Sequence, residues 1–235
     1  MERVKAMFTY FTKFEICLWV CSVMLTVISY IVFDRENHVM LLASVIGATY
    51  LIFNAKGNPI GQVLLILFSI LYGIISYSFS YYGEMITYLG MSTPMAILAL
   101  ISWMRNPYKG NRAEVEINVM NKTEIVFMFL LTAVITVLFY FILKYFRTAN
   151  LIFSTLSVAT SFLAVYLTLR RNRFFTLAYA ANDIVLIILW IMATLHNTSY
   201  MSVTICFFMF LINDIYGFFN WTKMLQKQQN NPVKD

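Results

Sequence analysis

The chain contains eight runs of almost uninterrupted apolar residues, each about as long as a lipid bilayer is thick. A helix needs about 17–25 residues to cross a hydrocarbon core of about 30 Å. Because the runs are continuous and do not alternate in polarity, they predict helices and exclude the strands of a membrane β-barrel. The runs are Ile16–Phe33, Val39–Ala55, Gly61–Tyr81, Met85–Met104, Ile125–Phe146, Leu151–Leu169, Phe174–Leu195 and Ser199–Trp221. The sequence therefore predicts an all-α, polytopic transmembrane bundle of eight helices.

The composition excludes a soluble domain. Apolar residues make up 60% of the 235 residues and charged residues 12%, whereas soluble domains have about 45–50% apolar and about 25% charged residues. The net charge of +6 does not indicate a nucleic-acid partner, because the basic residues lie in short connections between the apolar runs. The segment Met1–Glu15 carries Lys between Phe residues and predicts a short helix on the membrane surface. The lipid bilayer is therefore an expected partner.

The distribution of Lys and Arg predicts the orientation of the helices. With eight spans, fourteen of the seventeen lie on the side of both chain ends, and three, Arg35, Lys144 and Arg147, lie on the other side. Segments rich in Lys and Arg usually stay in the cytoplasm. Both termini are therefore expected to be cytoplasmic.

Two stretches have the same order of features, about 115–118 residues apart. Each has a helix that ends at a basic turn, a second helix, a short uncharged turn, and a third helix that ends in Trp103 or Trp221. One helix separates the stretches, so two triplets of the same orientation are expected, an arrangement that recurs in transporters with the substrate between the repeats. The alternative is that any two hydrophobic triplets look alike.

The expected divisions follow this repeat. They are 1–38 (surface segment and extra helix), 39–105 (first triplet), 106–147 (cytoplasmic linker and bridging helix), 148–223 (second triplet) and 224–235 (cytoplasmic tail). In the linker Asn106–Asn121, the alternation of Val115, Ile117 and Val119 predicts an extended backbone.

Two Asn–Asp pairs lie deep inside the last two runs, and ionisable residues there usually face a cavity or a partner. Asn182–Asp183 lies about 12 Å from the basic end of the seventh helix, and Asn213–Asp214 lies equally far from that end of the eighth. Two pairs at one depth predict a polar site between the helices. The alternative is that these side chains tie helices together by hydrogen bonds.

Aromatic residues share the faces of these polar groups and suit a flat ring joined to a sugar. Phe175, Tyr179 and Trp190 follow helical steps with Asn182, and Tyr216 lies near Asn213. Trp103 and Trp221 are expected to anchor their helices at the membrane interface. No catalytic or metal-binding motif accompanies them. The sequence therefore predicts no enzyme, no metal and no cofactor.

Several stretches resemble the PnuC family of vitamin transporters over about residues 40–225. They are Leu71–Tyr77 (LYGIISY), Tyr82–Tyr88 (YGEMITY), Ala181–Asp183 after the Arg-rich turn, and Asn213–Trp221 (NDIYGFFNW). The resemblance implies a 3+1+3 core similar to SWEET sugar transporters, here with one extra N-terminal helix. It also implies facilitated uptake of nicotinamide riboside through a bacterial-type inner membrane, with trapping by a cytoplasmic kinase.

The sequence also departs from the family pattern. Where the family has Trp-x-x-Trp in the seventh helix, this chain has Phe175 and Ala178. Deoxynucleosides, thiamine and riboflavin therefore remain alternative substrates, and a membrane scaffold or enzyme without transport is a third hypothesis. A homo-oligomer is an open possibility. The expected substrate-binding residues are Tyr72, Tyr88, Phe175, Tyr179, Asn182, Asp183, Trp190, Asn213, Asp214 and Tyr216.

Overall fold

The fold is taken from a computed structural model, which describes residues 10–35, 38–78, 82–148 and 150–231. Most of the expected surface helix Met1–Glu15, and the end of the third apolar run at Tyr81, lie outside these residues. Eight helices in the described residues are long and apolar enough to cross a membrane, as the sequence predicts. They are α1 (Lys13–Phe33), α2 (His38–Ala55), α3 (Ile60–Ser78), α4 (Tyr82–Arg105), α5 (Lys122–Tyr145), α6 (Leu151–Leu169), α7 (Phe175–Thr194) and α8 (Met201–Asn230).

Six of the helices form a closed ring. Going round it, α2 packs on α3, α3 on α4, α4 on α6, α6 on α7, α7 on α8, and α8 returns to α2. Helix α1 lies outside the ring against α2 and α8, and α5 lies outside it against α6. The predicted triplets are thus two arcs that meet at two junctions, α4–α6 and α8–α2. The grouping of these arcs as a repeat stays a prediction.

Helix α1 turns its polar residues inward and its apolar residues outward. Its buried side chains include Glu15, Ser22, Thr26 and Ser29, whereas Met24 and Ile28 are exposed. This is the reverse of a soluble helix, because the surroundings of a membrane helix are apolar and polar groups find partners only inside the bundle.

Helix α4 contains a wide, π-helical turn at Thr87–Ser92. The turn lies just before Pro94, which has no N–H to donate to the carbonyl four residues earlier. The hydroxyl of Thr93, the residue before the proline, donates to the Tyr88 carbonyl within the turn (2.9 Å). The wide turn therefore ends two residues before a proline that prevents regular α-helical hydrogen bonding. Two of its side chains, Tyr88 and Ser92, line the central cavity described below.

The linker is extended, as predicted, and its first part is a β-hairpin. Strands β1 (Pro107–Tyr108) and β2 (Asn111–Val115) are joined by Lys109 and Gly110, both in the left-handed region (φ 50° and 77°). Two successive positive φ values are typical of a tight hairpin turn. The end of the bundle that carries this linker is called the linker side below, and the other end the opposite side.

Two similar turns of the helical ring hold the linker. At one, the Gly57 carbonyl accepts a hydrogen bond from the Val115 amide (2.9 Å); at the other, the Arg171 carbonyl accepts one from the Asn118 amide (3.0 Å). Gly57 and Arg171 are both left-handed (φ 65° and 55°). Burial lowers the pKa of the Arg171 guanidinium, and the charge of Glu116 in the linker opposes that shift.

Helix α8 runs past Trp221, where the predicted span ends, to Asn230. Its last turns pack on the linker. The amide nitrogen of Gln228 donates to the Val115 carbonyl (3.0 Å), and its amide oxygen accepts from the Ile117 amide (2.9 Å). The additional helical turns of α8 therefore hold the linker by hydrogen bonds.

The prediction that Trp103 and Trp221 anchor their helices by contact with the membrane interface is wrong. Both are fully buried (0% exposed), and their rings pack together with centroids 5.4 Å apart. Trp103 donates from its indole nitrogen to the Thr168 carbonyl on α6 (2.9 Å), and Trp221 donates to the Asn54 carbonyl on α2 (2.8 Å). These partners satisfy the indole N–H groups inside the protein, which makes a water-facing position unnecessary.

Candidate functional site

All six helices of the ring contribute to a small cavity of about 30 Å³ at its centre. A space of this size holds one or two water molecules. Its lining combines aromatic rings with hydroxyl, amide and carboxyl groups. The lining residues are Tyr50, Leu65, Phe68, Ser69, Tyr88, Ser92, Ser161, Val165, Tyr179, Asn182, Asp183, Phe207 and Phe210. This region is called the central cavity below.

Asn182 lies in the wall of the central cavity and is held by α6. Its side-chain oxygen accepts hydrogen bonds from the hydroxyls of Thr160 (2.9 Å) and Ser161 (3.0 Å). Both bonds use the amide oxygen, which leaves the amide nitrogen available to donate to a ligand. Asn182 is thus oriented by its neighbours and retains one functional group for the cavity.

Asp183 and Asp214 meet between α7 and α8. Both side chains are buried (4% exposed), and their carboxyl groups interact with each other. An ionised carboxylate can only accept a hydrogen bond, so a hydrogen bond between the two requires a proton on one of them. Their contact agrees with the equal depth that helix geometry predicts.

Asn213 and Tyr216 face away from the central cavity, toward α1. The amide nitrogen of Asn213 donates to the Ser22 hydroxyl (2.9 Å) and to the Met209 carbonyl (2.8 Å). The Tyr216 hydroxyl donates to the Glu15 carboxylate (2.8 Å). Successive residues on a helix point about 100° apart, so Asn213 reaches α1 while Asp214 reaches α7. The geometry of Asn213 fits the alternative in which it ties helices together.

The remaining expected aromatic residues lie at three levels of the ring. Phe175 packs near the linker side, with its ring 4.8 Å from that of Trp221. Tyr179 and Tyr88 line the central cavity. Tyr72 packs 4.6 Å from Tyr88, between centroids, on the side of the cavity away from the linker.

Sequence reasoning missed most of the aromatic wall. Phe68 on α3 and Phe207 and Phe210 on α8 line the central cavity, and their rings lie 5.5–5.9 Å apart in the pairs Phe207–Phe210 and Phe68–Phe210. The sequence does contain a pattern that indicates this wall. The spacing of three and four residues places Phe207, Phe210 and Asp214 on one face of α8. The stripe drawn through Asn213 and Tyr216 instead follows the face that contacts α1.

A larger cavity, of about 300 Å³, lies on the opposite side. The end of α7 and the beginnings of α4, α6 and α8 surround it. Its lining residues are Glu84, Thr148, Asn150, Ser154, Leu189, Trp190, Met192, Ala193, His196 and Tyr200. Trp190, expected at the central site, belongs to this cavity, which is called the opposite-side cavity below. No group of three or more metal-binding side chains occurs in the part of the chain that the structure describes.

Comparison with known proteins decides the family. A sequence model described as nicotinamide mononucleotide transporter matches residues 37–223, which is 187 of the 235 residues. The chain belongs to the nicotinamide mononucleotide transporter family. The resemblance to PnuC proteins that the sequence predicts is thereby confirmed, and the hypothesis of an enzyme loses its support, since this is a family of transporters.

Two relatives show the degree of similarity to known proteins. The nicotinamide riboside transporter PnuC of Neisseria mucosa is 28% identical over 202 residues, which are 83% of this chain and 76% of that protein. The crystal structure of the vitamin B3 transporter PnuC superimposes with a TM-score of 0.80 and covers 92% of this chain and 94% of that one, at 24% identity. This second likeness is one of fold, and it places the present chain in the architecture of that transporter.

Proposed function

We propose that this chain mediates the facilitated uptake of nicotinamide riboside. The central cavity carries the proposal, because its aromatic rings suit a flat pyridinium ring and its amide and hydroxyl groups suit a ribose. A pyridinium cation is attracted to the faces of aromatic rings, and Tyr88, Tyr179 and Phe207 lie in the wall. The name of the Neisseria mucosa relative supports the same substrate.

The cavity favours the riboside over the mononucleotide for which the family is described. The two ligands differ by a phosphate group, which proteins bind with Arg, Lys or backbone N–H groups. The described lining of the central cavity contains no Lys, Arg or His, and it includes Asp183, which contacts Asp214. A phosphate would meet carboxyl groups there, whereas a cationic ring would meet groups of suitable charge.

The described structure corresponds to a contracted site. Sites for small molecules have volumes of about 300–1,000 Å³, and the central cavity has about 30 Å³. Binding must therefore move the helices or the aromatic side chains apart. The π-helical turn of α4 supports such a movement, because it carries Tyr88 and Ser92 and its hydrogen bonds are irregular.

Uptake by purified protein in liposomes tests the proposal. Radiolabelled nicotinamide riboside should enter down its gradient, and nicotinamide mononucleotide should not. Thymidine, thiamine and riboflavin in parallel vesicles test the alternative substrates. The matched control is Leu130→Ala, which changes a lipid-exposed side chain of α5 (63% exposed) and should transport normally. Retention of nicotinamide riboside outside, at the level of empty vesicles, would contradict the proposal.

The proposal includes the placement of the protein. We expect it in a bacterial-type inner membrane with the linker side and both termini in the cytoplasm, because the basic residues concentrate there. Facilitated diffusion cannot accumulate a substrate, so net uptake would depend on a cytoplasmic kinase that phosphorylates the riboside. The exposed apolar face of α5 leaves room for a homo-oligomer.

Cysteine labelling tests this orientation. In a protein whose native cysteines are replaced by serine, Asn111→Cys in the hairpin should resist a membrane-impermeant thiol reagent in intact cells and react after lysis. Asn197→Cys, on the opposite side, is the matched control and should react in intact cells. The reverse pattern would overturn the assigned orientation.

A further inference from the structure

The opposite-side cavity is ten times as large as the central cavity, at about 300 Å³ against about 30 Å³. Its volume reaches the lower end of the range for small-molecule sites. It also has a mixed lining, with hydroxyl and amide groups from Thr148 and Asn150 and aromatic rings from Trp190 and Tyr200. Of the two cavities described so far, this one has room for a nucleoside.

Glu84 gives the opposite-side cavity its acidic group. The side chain is partly buried at the start of α4, near the Tyr72 hydroxyl. Its Oε2 atom is buried and accepts no hydrogen bond from the described residues. The nearby Tyr72 hydroxyl can donate a single hydrogen bond to the carboxyl group, so an ionised Glu84 remains short of partners, at a cost that a ligand cation would offset. The other titratable groups in the lining are His196, which is exposed, and the phenol of Tyr200.

Two aromatic rings stand in the same cavity as this carboxyl group. The rings of Trp190 and Tyr200 lie 5.5 Å apart, at an angle of 50°. A carboxylate together with aromatic faces is the combination that binds a flat organic cation, through charge and through the electron-rich ring faces. The hydroxyl of Thr148 and the amide of Asn150 could donate to or accept from sugar hydroxyls.

A layer of aromatic side chains separates the two cavities. Tyr72, which lies near Glu84, packs 4.6 Å from Tyr88, and Tyr88 lines the central cavity. Phe207 of the central cavity lies 6.1 Å from Tyr72. Glu84, Tyr88 and Ser92 follow one another along α4 at intervals of four residues. They lead from the opposite-side cavity, through the aromatic layer, to the central cavity.

We propose that the opposite-side cavity is a second binding site, in which Glu84 receives the cationic ring of the substrate before the ring passes the Tyr72–Tyr88 layer. The assignment rests on the proposed function for the identity of the substrate. The site itself requires only a flat aromatic cation.

Transport kinetics in liposomes test the role of Glu84. For Glu84→Gln, the KM for nicotinamide riboside should rise about tenfold, since about 1.4 kcal/mol of lost attraction corresponds to that factor. Glu84→Asp should restore most of the affinity. The matched ligand control is reduced nicotinamide riboside, which has nearly the same shape and no ring charge, and its transport should be the same in all three proteins. Equal effects on both ligands, or none on either, would overturn the proposal.

A binding assay separates this proposal from the proposed function. In a protein without native cysteines, Ala193→Cys places a thiol in the lining of the opposite-side cavity. The cation 1-methylnicotinamide should slow its reaction with a thiol reagent, neutral nicotinamide should not, and Glu84→Gln should abolish the protection. Protection without any uptake of nicotinamide riboside would refute the transport proposal alone. Absence of protection in a protein that transports the riboside would refute the second site alone.

Discussion

Trp103 and Trp221 pack ring against ring at 5.4 Å, and each donates a hydrogen bond to the helix at its own junction of the ring. A second pair of bonds repeats the arrangement. The Ser102 hydroxyl donates to the Leu169 carbonyl (2.9 Å) at α4–α6, and the Asn220 amide donates to the Ala55 carbonyl (2.7 Å) at α8–α2. The donors are 118 positions apart in both pairs, and the acceptors 114. The two junctions therefore use equivalent bonds.

Equivalent junctions should respond equally to equivalent changes. Trp103→Phe and Trp221→Phe each remove one buried hydrogen bond, worth about 1 kcal/mol, together with part of a packed ring. We expect both variants to lower the melting temperature in detergent by similar amounts. Met104→Ala, which changes a neighbouring exposed side chain (64%), should have little effect. Normal melting of one Trp variant beside unfolding of the other would show that the junctions are not equivalent.

Asn182 and Asn213 should separate into a binding role and a packing role. From the sequence, loss of either amide is expected to weaken binding by about 1–3 kcal/mol. The contacts now support that value for Asn182→Ala alone, because Asn182 lines the central cavity and Asn213 bonds to Ser22 on α1. Asn213→Ala should mainly lower the melting temperature. Titration calorimetry with nicotinamide riboside measures the first effect, and a larger loss of affinity in Asn213→Ala would contradict the separation.

The Asp183–Asp214 contact should tolerate an amide better than an apolar residue. Asp214→Asn retains a group that donates to Asp183, whereas Asp214→Leu leaves a buried carboxyl group without its partner, at a cost of about 1–3 kcal/mol or more. We expect Asp214→Asn to melt near the wild-type temperature and Asp214→Leu to melt clearly lower. Equal melting of the two variants would show that the contact contributes no hydrogen bond.

Gly47 should be required for the position of Phe210. A Cβ atom on Gly47 would overlap the Phe210 ring, which lines the central cavity. Gly47→Ala should displace the ring and lower the affinity for nicotinamide riboside, while Ala48→Ser, at the next position, serves as the control for a change on α2. Unaltered affinity in Gly47→Ala, measured by the same calorimetry, would show that the ring has room to move.

The sequence predicted the architecture well because lipid imposes a simple rule. Eight apolar runs became eight helices, since a backbone in hydrocarbon must satisfy its own hydrogen bonds. The side-chain directions were harder. One stripe through Asn213 and Tyr216 suggested a cavity wall, but that face meets the polar side of α1. The sequence does not reveal which neighbour a polar face meets, and for the same reason the burial of Trp103 and Trp221 was not foreseen.

The linker limits how far the two arcs can separate at its end of the bundle. Val115 is bonded to the turn after α2 and Asn118 to the turn after α6, one in each arc. Three residues of fully extended chain reach about 10 Å. While both bonds hold, this short tether restricts the separation of the two arcs on the linker side. A substrate can therefore leave past the linker only if it fits through a narrow gap between the arcs, or if one of these two hydrogen bonds breaks.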